Sequence, residues 1–165
     1  MSKVLIYGDS LTEGIRLDKT IYNYHIETVY GGTVDELLTL NNRNIGLELY
    51  LSEDDYEIFI LLIGNNEQFY YISEKIVIDG IKTLFNLCNN HVPNKIVKKI
   101  AIAIPNGGKF NKLLKELCKE ENILYCDAFE MKNCSKYLLD DELHLNDAGY
   151  KYLQEKLQDL LNNKK

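Results

Sequence analysis

This sequence has no long apolar run, no excess of positive charge and no paired-cysteine motif, and each absence excludes a class of protein. Apolar runs such as Ile58–Ile63 are far too short to span a bilayer, and Val4–Tyr7 is too short for a signal peptide's apolar centre. Acidic residues outnumber basic ones, 25 to 19, for a net charge of −6. Nucleic acid and anionic membrane both select basic faces, so neither is expected as a partner. The short basic cluster of Lys95, Lys98 and Lys99 reads as the solvated start of a strand, and Glu53-Asp54-Asp55 as a surface loop. The cysteines, Cys88, Cys118, Cys126 and Cys134, form no CxxC pair, and their spacing does not suit zinc. Buried reduced thiols in a cytoplasmic protein are the expectation.

What is present is an ordinary globular composition, 45% hydrophobic and 27% charged over 165 residues. That length suits one domain spanning residues 1–165, with no linker, repeat or low-complexity stretch to divide it. Runs suited to buried parallel strands occur at Val4–Tyr7, Ile58–Ile63, Ile100–Ile104 and Ile123–Cys126. Tyr24–Tyr30 alternates more weakly and reads as an edge strand. Helical spacing marks Val34 to Leu40, Ile76 to Cys88 and Leu113 to Leu117. The clearest helix follows Asn146, a good N-cap, with Tyr150, Leu153, Leu157, Leu160 and Leu161 on one stripe. Strand and helix in alternation predict a three-layer α/β/α sandwich with a mostly parallel sheet of order 2-1-3-4-5.

The chemistry concentrates where strands should end. Gly8-Asp9-Ser10-Leu11-Thr12-Glu13-Gly14 follows the first apolar run and presents a serine at a strand exit, where open α/β sheets bind ligands. A serine hydroxyl needs a base to remove its proton as it attacks. Of the three histidines, His25 falls in the weak strand and His91 at a helix end, where solvated roles suffice. His144 stands three residues past Asp141, a spacing that lets the aspartate orient the imidazole. Alone, Asp140-Asp141-Glu142 reads equally well as a solvated acidic turn; beside a strand-end serine the catalytic reading gains. Gly31-Gly32 and Gly64-Asn65-Asn66-Glu67 follow the second and third strands and could supply oxyanion donors. Each alone is an ordinary loop, but both share the sheet edge of Ser10.

These blocks, in this order, resemble the SGNH/GDSL hydrolases over nearly the whole chain. Gly8-Asp9-Ser10-Leu11 with Gly14 looks like their first block, Gly31 or Gly32 the second, Gly64-x-Asn66 the third, and Asp141-x-x-His144 the last. The resemblance implies a flavodoxin-like sandwich, a Ser10–His144–Asp141 triad and no metal or organic cofactor. It implies an oxyanion hole from the Ser10 amide, a glycine amide and the Asn66 side chain. Gly31 is favoured as the glycine because Thr33 stands two residues on; Asp9 and Gly32 would border the substrate. Glu67 stands where the family often has aspartate, and Leu145 where proline is common.

The expected substrate is a small ester. Short inter-strand segments leave nothing to roof a tunnel, so a shallow cleft and short acyl groups are expected, an acetylated carbohydrate first among them. A lysophospholipase or acyl-thioesterase of the same fold is the alternative, as is a non-catalytic flavodoxin-like binding module holding a phosphate near Asp9. Phe69-Tyr70-Tyr71 would either line a pocket or pack the start of a helix on the sheet.

Overall fold

Strand β1 (Ser2–Gly8) owes its place at the heart of the sheet to Val4, Leu5, Ile6 and Tyr7, all fully buried. The computed structural model describes residues 1–91, 96 and 98–163. Among them β2 (Tyr22–Thr28), β3 (Ile58–Leu62), β4 (Lys98–Ile102) and β5 (Leu124–Cys126) join β1 in one five-stranded sheet. All pairings are parallel, in the order β2-β1-β3-β4-β5, as the sequence predicts. β3 is buried along its whole length, as a central parallel strand covered on both faces must be. β2 lies at the edge and is only half-buried, which explains its weak alternation.

The helices are α1 (Val34–Asn42), α2 (Leu47–Glu53), α3 (Glu74–His91), α4 (Lys109–Glu120) and α5 (Asp147–Asn162). Right-handed crossovers from β2 onward put α1 to α4 on one face, where α3 packs against α1, α2 and α4. The return from β5 carries α5 over the opposite face, and its Tyr150 hydroxyl donates to the Leu11 carbonyl at 3.0 Å. Asn146 caps α5 as expected, its Oδ1 accepting from the Gly149 amide at 2.8 Å.

Three details depart from the sequence reading. α2 was not expected; its seven residues give only Leu47 and Leu51 to the core, too little repetition for a periodic signal. Glu53 therefore ends a helix, ahead of an exposed Asp54-Asp55. Lys98 does begin β4, but its ammonium is engaged rather than simply solvated: Nζ donates to the carbonyls of Leu161 and Asn163, at 2.9 and 3.0 Å, closing the end of α5. Lys95 lies outside the described residues.

All four cysteines are free and buried. Burial pushes the thiols of Cys88, Cys118 and Cys126 up to about 12, so they stay protonated and are poor nucleophiles. Among the described residues no helix is long and apolar enough to cross a membrane.

Candidate active site

The site begins where β1 and β3 separate. Gly8 pairs with Leu62 across the strands, and a Cβ on Gly8 would sit 1.8 Å from the Leu62 carbonyl oxygen, so only glycine fits. Asp9 extends the pairing by one step, its amide donating to that same carbonyl at 3.1 Å. Its side chain then accepts from the Leu11 amide at 2.9 Å and N-caps a single 3₁₀ turn, Ser10–Gly14. Thr12 Oγ1 donates to the Asp9 carbonyl at 2.8 Å and lies 2.8 Å from Thr28 Oγ1, anchoring the turn to β2. With the Tyr150 bond to Leu11, the turn is held from three sides, and Ser10 heads it, half-buried.

His144 reaches Ser10 from the opposite end of the sequence. Its Nε2 stands 3.2 Å from Ser10 Oγ, and its Nδ1 is 2.7 Å from Asp141 Oδ2. Asp141 Oδ1 accepts from the amides of Leu143 and His144 at 2.9 and 3.0 Å, folding the four-residue loop around its own carboxylate. The loop's ends are pinned by the Leu139 amide to the His144 carbonyl, 2.8 Å, and by a bridge between Leu138 and Leu145. Leu145, the residue after the histidine, is buried. The bond from the His144 side chain, then those from the His144 and Leu143 amides, hold the Asp141 carboxyl down at about 2. Asp141 is thus an anion across the neutral range and fixes Nδ1 as the protonated ring nitrogen, leaving Nε2 free to face Ser10.

The two glycine and asparagine loops converge on the same edge. Gly31 adopts φ +68°, a left-handed turn that suits glycine. The Gly32 amide is committed to the Val29 carbonyl at 3.0 Å, whereas the amides of Gly31 and Ser10 make no hydrogen bond among the described residues. Asn66 Nδ2 donates to the Gly32 carbonyl at 2.9 Å, which spends one of its two hydrogens and leaves the other. Asn66 heads a second 3₁₀ turn, Asn66–Tyr70.

Two buried carboxyls stand behind this edge. Asp9 is fully buried, and desolvation, opposed by the Leu11 amide and reinforced by the Glu67 charge, pushes it up to about 7. Among the described residues its Oδ2 has no hydrogen-bond partner; the Asn65 amide favours its charged form without closing a bond. Glu67 is also buried, its Oε2 accepting from the Val34 amide at 3.0 Å, and burial raises it as well. Sequence reasoning noticed Glu67 only as a departure from a pattern. Its partner, an amide 33 residues earlier, has no sequence signal.

Phe69, Tyr70 and Tyr71 neither begin a helix nor pack on the sheet, for all three are exposed, Tyr71 at 96%. Tyr71 borders a cavity of about 360 Å³ whose other walls include Gly64, Gln68, Val77, Gly107 and Phe110. That cavity adjoins the Asn66 loop on its β4 side.

No protein-family model matches this sequence, and no curated protein matches it. Solved structures do match in fold. A member of the lipolytic protein G-D-S-L family from Veillonella parvula is 16% identical with a TM-score of 0.71, the match covering 99% of this chain and 100% of that one. The lipase Lip_vut3 from a goat rumen metagenome is 16% identical with a TM-score of 0.76, covering 99% of each chain. The acetylxylan esterase Axe2 from Geobacillus stearothermophilus is 14% identical at 0.69, covering 99% of this chain and 95% of that one. At such low identity the likeness is one of architecture. From end to end, this chain has the α/β sandwich fold of these lipolytic and esterase structures.

Proposed function

We propose that this chain is a serine esterase acting on small carboxylic esters. One observation carries the reading: an unbroken relay from Asp141 Oδ2 to His144 Nδ1 at 2.7 Å and from His144 Nε2 to Ser10 Oγ at 3.2 Å. Ser10 Oγ attacks the ester carbonyl carbon while its proton passes to His144 Nε2. The resulting oxyanion is met by the amides of Ser10 and Gly31 and the second Nδ2 hydrogen of Asn66. The imidazolium returns its proton to the departing alkoxide, leaving an acyl-serine. Water, deprotonated by the same nitrogen, then releases the carboxylic acid and restores Ser10. Asp9 and Gly32 border the site, Asp9 through the serine turn and Gly32 as the acceptor that orients Asn66. No step calls for a metal or organic cofactor. A phosphate-holding module is the poorer reading, because Asp9 sets an acidic group behind the loop and the Asp141–His144 pair would be idle.

A short acyl group, with an acetylated carbohydrate as the substrate class, is favoured because Ser10 is only half-buried at the strand edge, where a shallow cleft would desolvate few methylenes. The cavity beside Gly64 supports a second reading, in which Val77 and Phe110 wall an acyl chain as in a lysophospholipase or acyl-thioesterase. A panel of p-nitrophenyl esters from acetyl to palmitoyl, run beside acetylated sugars, separates the two. Each methylene buried in that cavity would add about 0.8 kcal/mol to transition-state binding, so a steady climb in kcat/KM with chain length supports the second reading. A flat or falling profile supports the first. Ser10→Ala should lose ~10⁴-fold or more in kcat with its fold intact, and a fluorophosphonate should label Ser10 alone. Wild-type turnover in that variant would end the esterase reading.

A further inference from the structure

Two hydrogen bonds join the glycine loop and the start of α1 to the asparagine loop, from adjacent residues of the latter to residues two apart on the former. Asn66 Nδ2 reaches the Gly32 carbonyl at 2.9 Å, and Glu67 Oε2 takes the Val34 amide at 3.0 Å. The first bond orients the Asn66 amide group directly, through the hydrogen that is not offered to the oxyanion. The second is made by Glu67, a buried side chain that also lines the cavity beside Gly64. Val34 opens α1, where amides lack intrahelical acceptors. Thr33 Oγ1 takes the Glu36 amide at 3.3 Å, and Glu67 satisfies the Val34 amide from outside the helix. A carboxylate at a helix N-terminus gains from the dipole as well. Against this stands the cost of burying the carboxyl with Oε1 unpartnered among the described residues, and the Val34 contact is made despite it.

We infer that Glu67 is a positioning residue, which fixes the separation between the Gly31 amide and the Asn66 side chain by clamping their two loops together. The inference rests on the esterase reading above and adds a residue outside the triad and the donors. Oxyanion donors act only when placed where charge develops, and errors near 1 Å can cost about 10²-fold in rate. A slackened clamp therefore harms the transition state more than the ground state. The loss should appear in kcat and leave KM nearly alone.

The test is a short series assayed with p-nitrophenyl acetate and corrected for folded fraction by near-UV circular dichroism. Glu67→Ala should lower kcat by roughly 10- to 100-fold with KM within about 3-fold. Glu67→Gln keeps an oxygen for the Val34 amide and should restore kcat to within about 3-fold of wild type. Glu67→Asp, one methylene shorter, should fall between. Hydrogen exchange gives a readout that does not depend on turnover: the Val34 amide should exchange at least about 10-fold faster in Glu67→Ala but not in Glu67→Gln. Ser10→Ala assayed alongside reports on the esterase reading itself. An inactive Ser10→Ala beside a Glu67→Ala of undiminished kcat overturns the clamp alone. A loss confined to KM, or Glu67→Gln as impaired as Glu67→Ala, overturns it too.

Discussion

Two aspartates flank Ser10, and they are held in opposite ways. Asp141 is nearly half exposed and is surrounded by donors from its own loop: one imidazole and two amides within three residues. Its carboxyl is held down at about 2. Asp9 is fully buried, has one firm donor in Leu11 and lies near a second buried acid, so it rises to about 7. The arm proposed for acid–base work is thus assembled locally from hydrogen bonds at the surface. The arm proposed to carry the oxyanion donors is assembled by tertiary burial and stores electrostatic cost. A group that donates and accepts protons during turnover needs access and mobility; donors that must not move need a rigid, dry support.

The largest blow to this contrast would come from the exposed arm. His144→Ala should lower kcat by ~10⁴-fold or more, measured by ester hydrolysis at saturating substrate. Asp141→Asn should cost somewhat less, ~10²- to 10⁴-fold, because the amide leaves the ring present but can favour the wrong tautomer. Equal activity in Asp141→Asn and wild type would mean that the local loop, not the carboxylate, orients His144. On the buried arm, Asn66→Ala should reduce kcat by about 10²- to 10³-fold with a smaller change in KM. A change in KM alone would place Asn66 in substrate binding.

The smallest effect is on stability, and its sign separates the two aspartates. Asp9 binds its proton more tightly folded than unfolded, since its value rises from 3.8 to about 7. Its contribution is complete below its ordinary value and is lost as pH climbs through about 7. Asp141 runs the other way: its contribution is present above its ordinary value of 3.8 and fades as pH falls toward about 2. Urea unfolding of wild type and Asp9→Asn between pH 4 and 8 should therefore differ in slope, by at most about 1.4 kcal/mol per pH unit. The variant should be the flatter of the two. Identical slopes would show that Asp9 titrates as an ordinary carboxyl, and the buried arm would lose its distinguishing feature.

Local patterns in the chain carried much of this. Runs such as Val4–Tyr7 and Ile58–Ile63 announce buried parallel strands because both faces of a central strand must be apolar. Asn146 announces α5 because an N-cap needs only its own side chain and the next turn. The pairing of Asp141 with His144 is legible for the same reason, since three residues of loop decide it. α2 escaped notice because its apolar pattern is shorter than two turns, and the tertiary contact with α1 and α3 stabilises it. Of the two readings of Phe69-Tyr70-Tyr71, packing a helix on the sheet does not hold, because the chain turns outward at Tyr71, with φ +54°, and it is Tyr71 that borders the cavity.

By itself the sequence determined which residues are chemically able to act, and that Asp141 and His144 would meet, because periodicity, capping and short loops are properties of neighbours along the chain. Only the tertiary structure decided that Ser10 would lie 3.2 Å from a histidine 134 residues away. It also committed the Gly32 amide to Val29, left the Gly31 amide without a partner among the described residues, and placed Glu67 against an amide from another loop. Those outcomes depend on how strands order themselves in a sheet and how much water the packing expels. Burial turns Asp9 and Glu67, two common acidic residues, into raised and partly unpartnered carboxyls, and burial is a property of the whole fold.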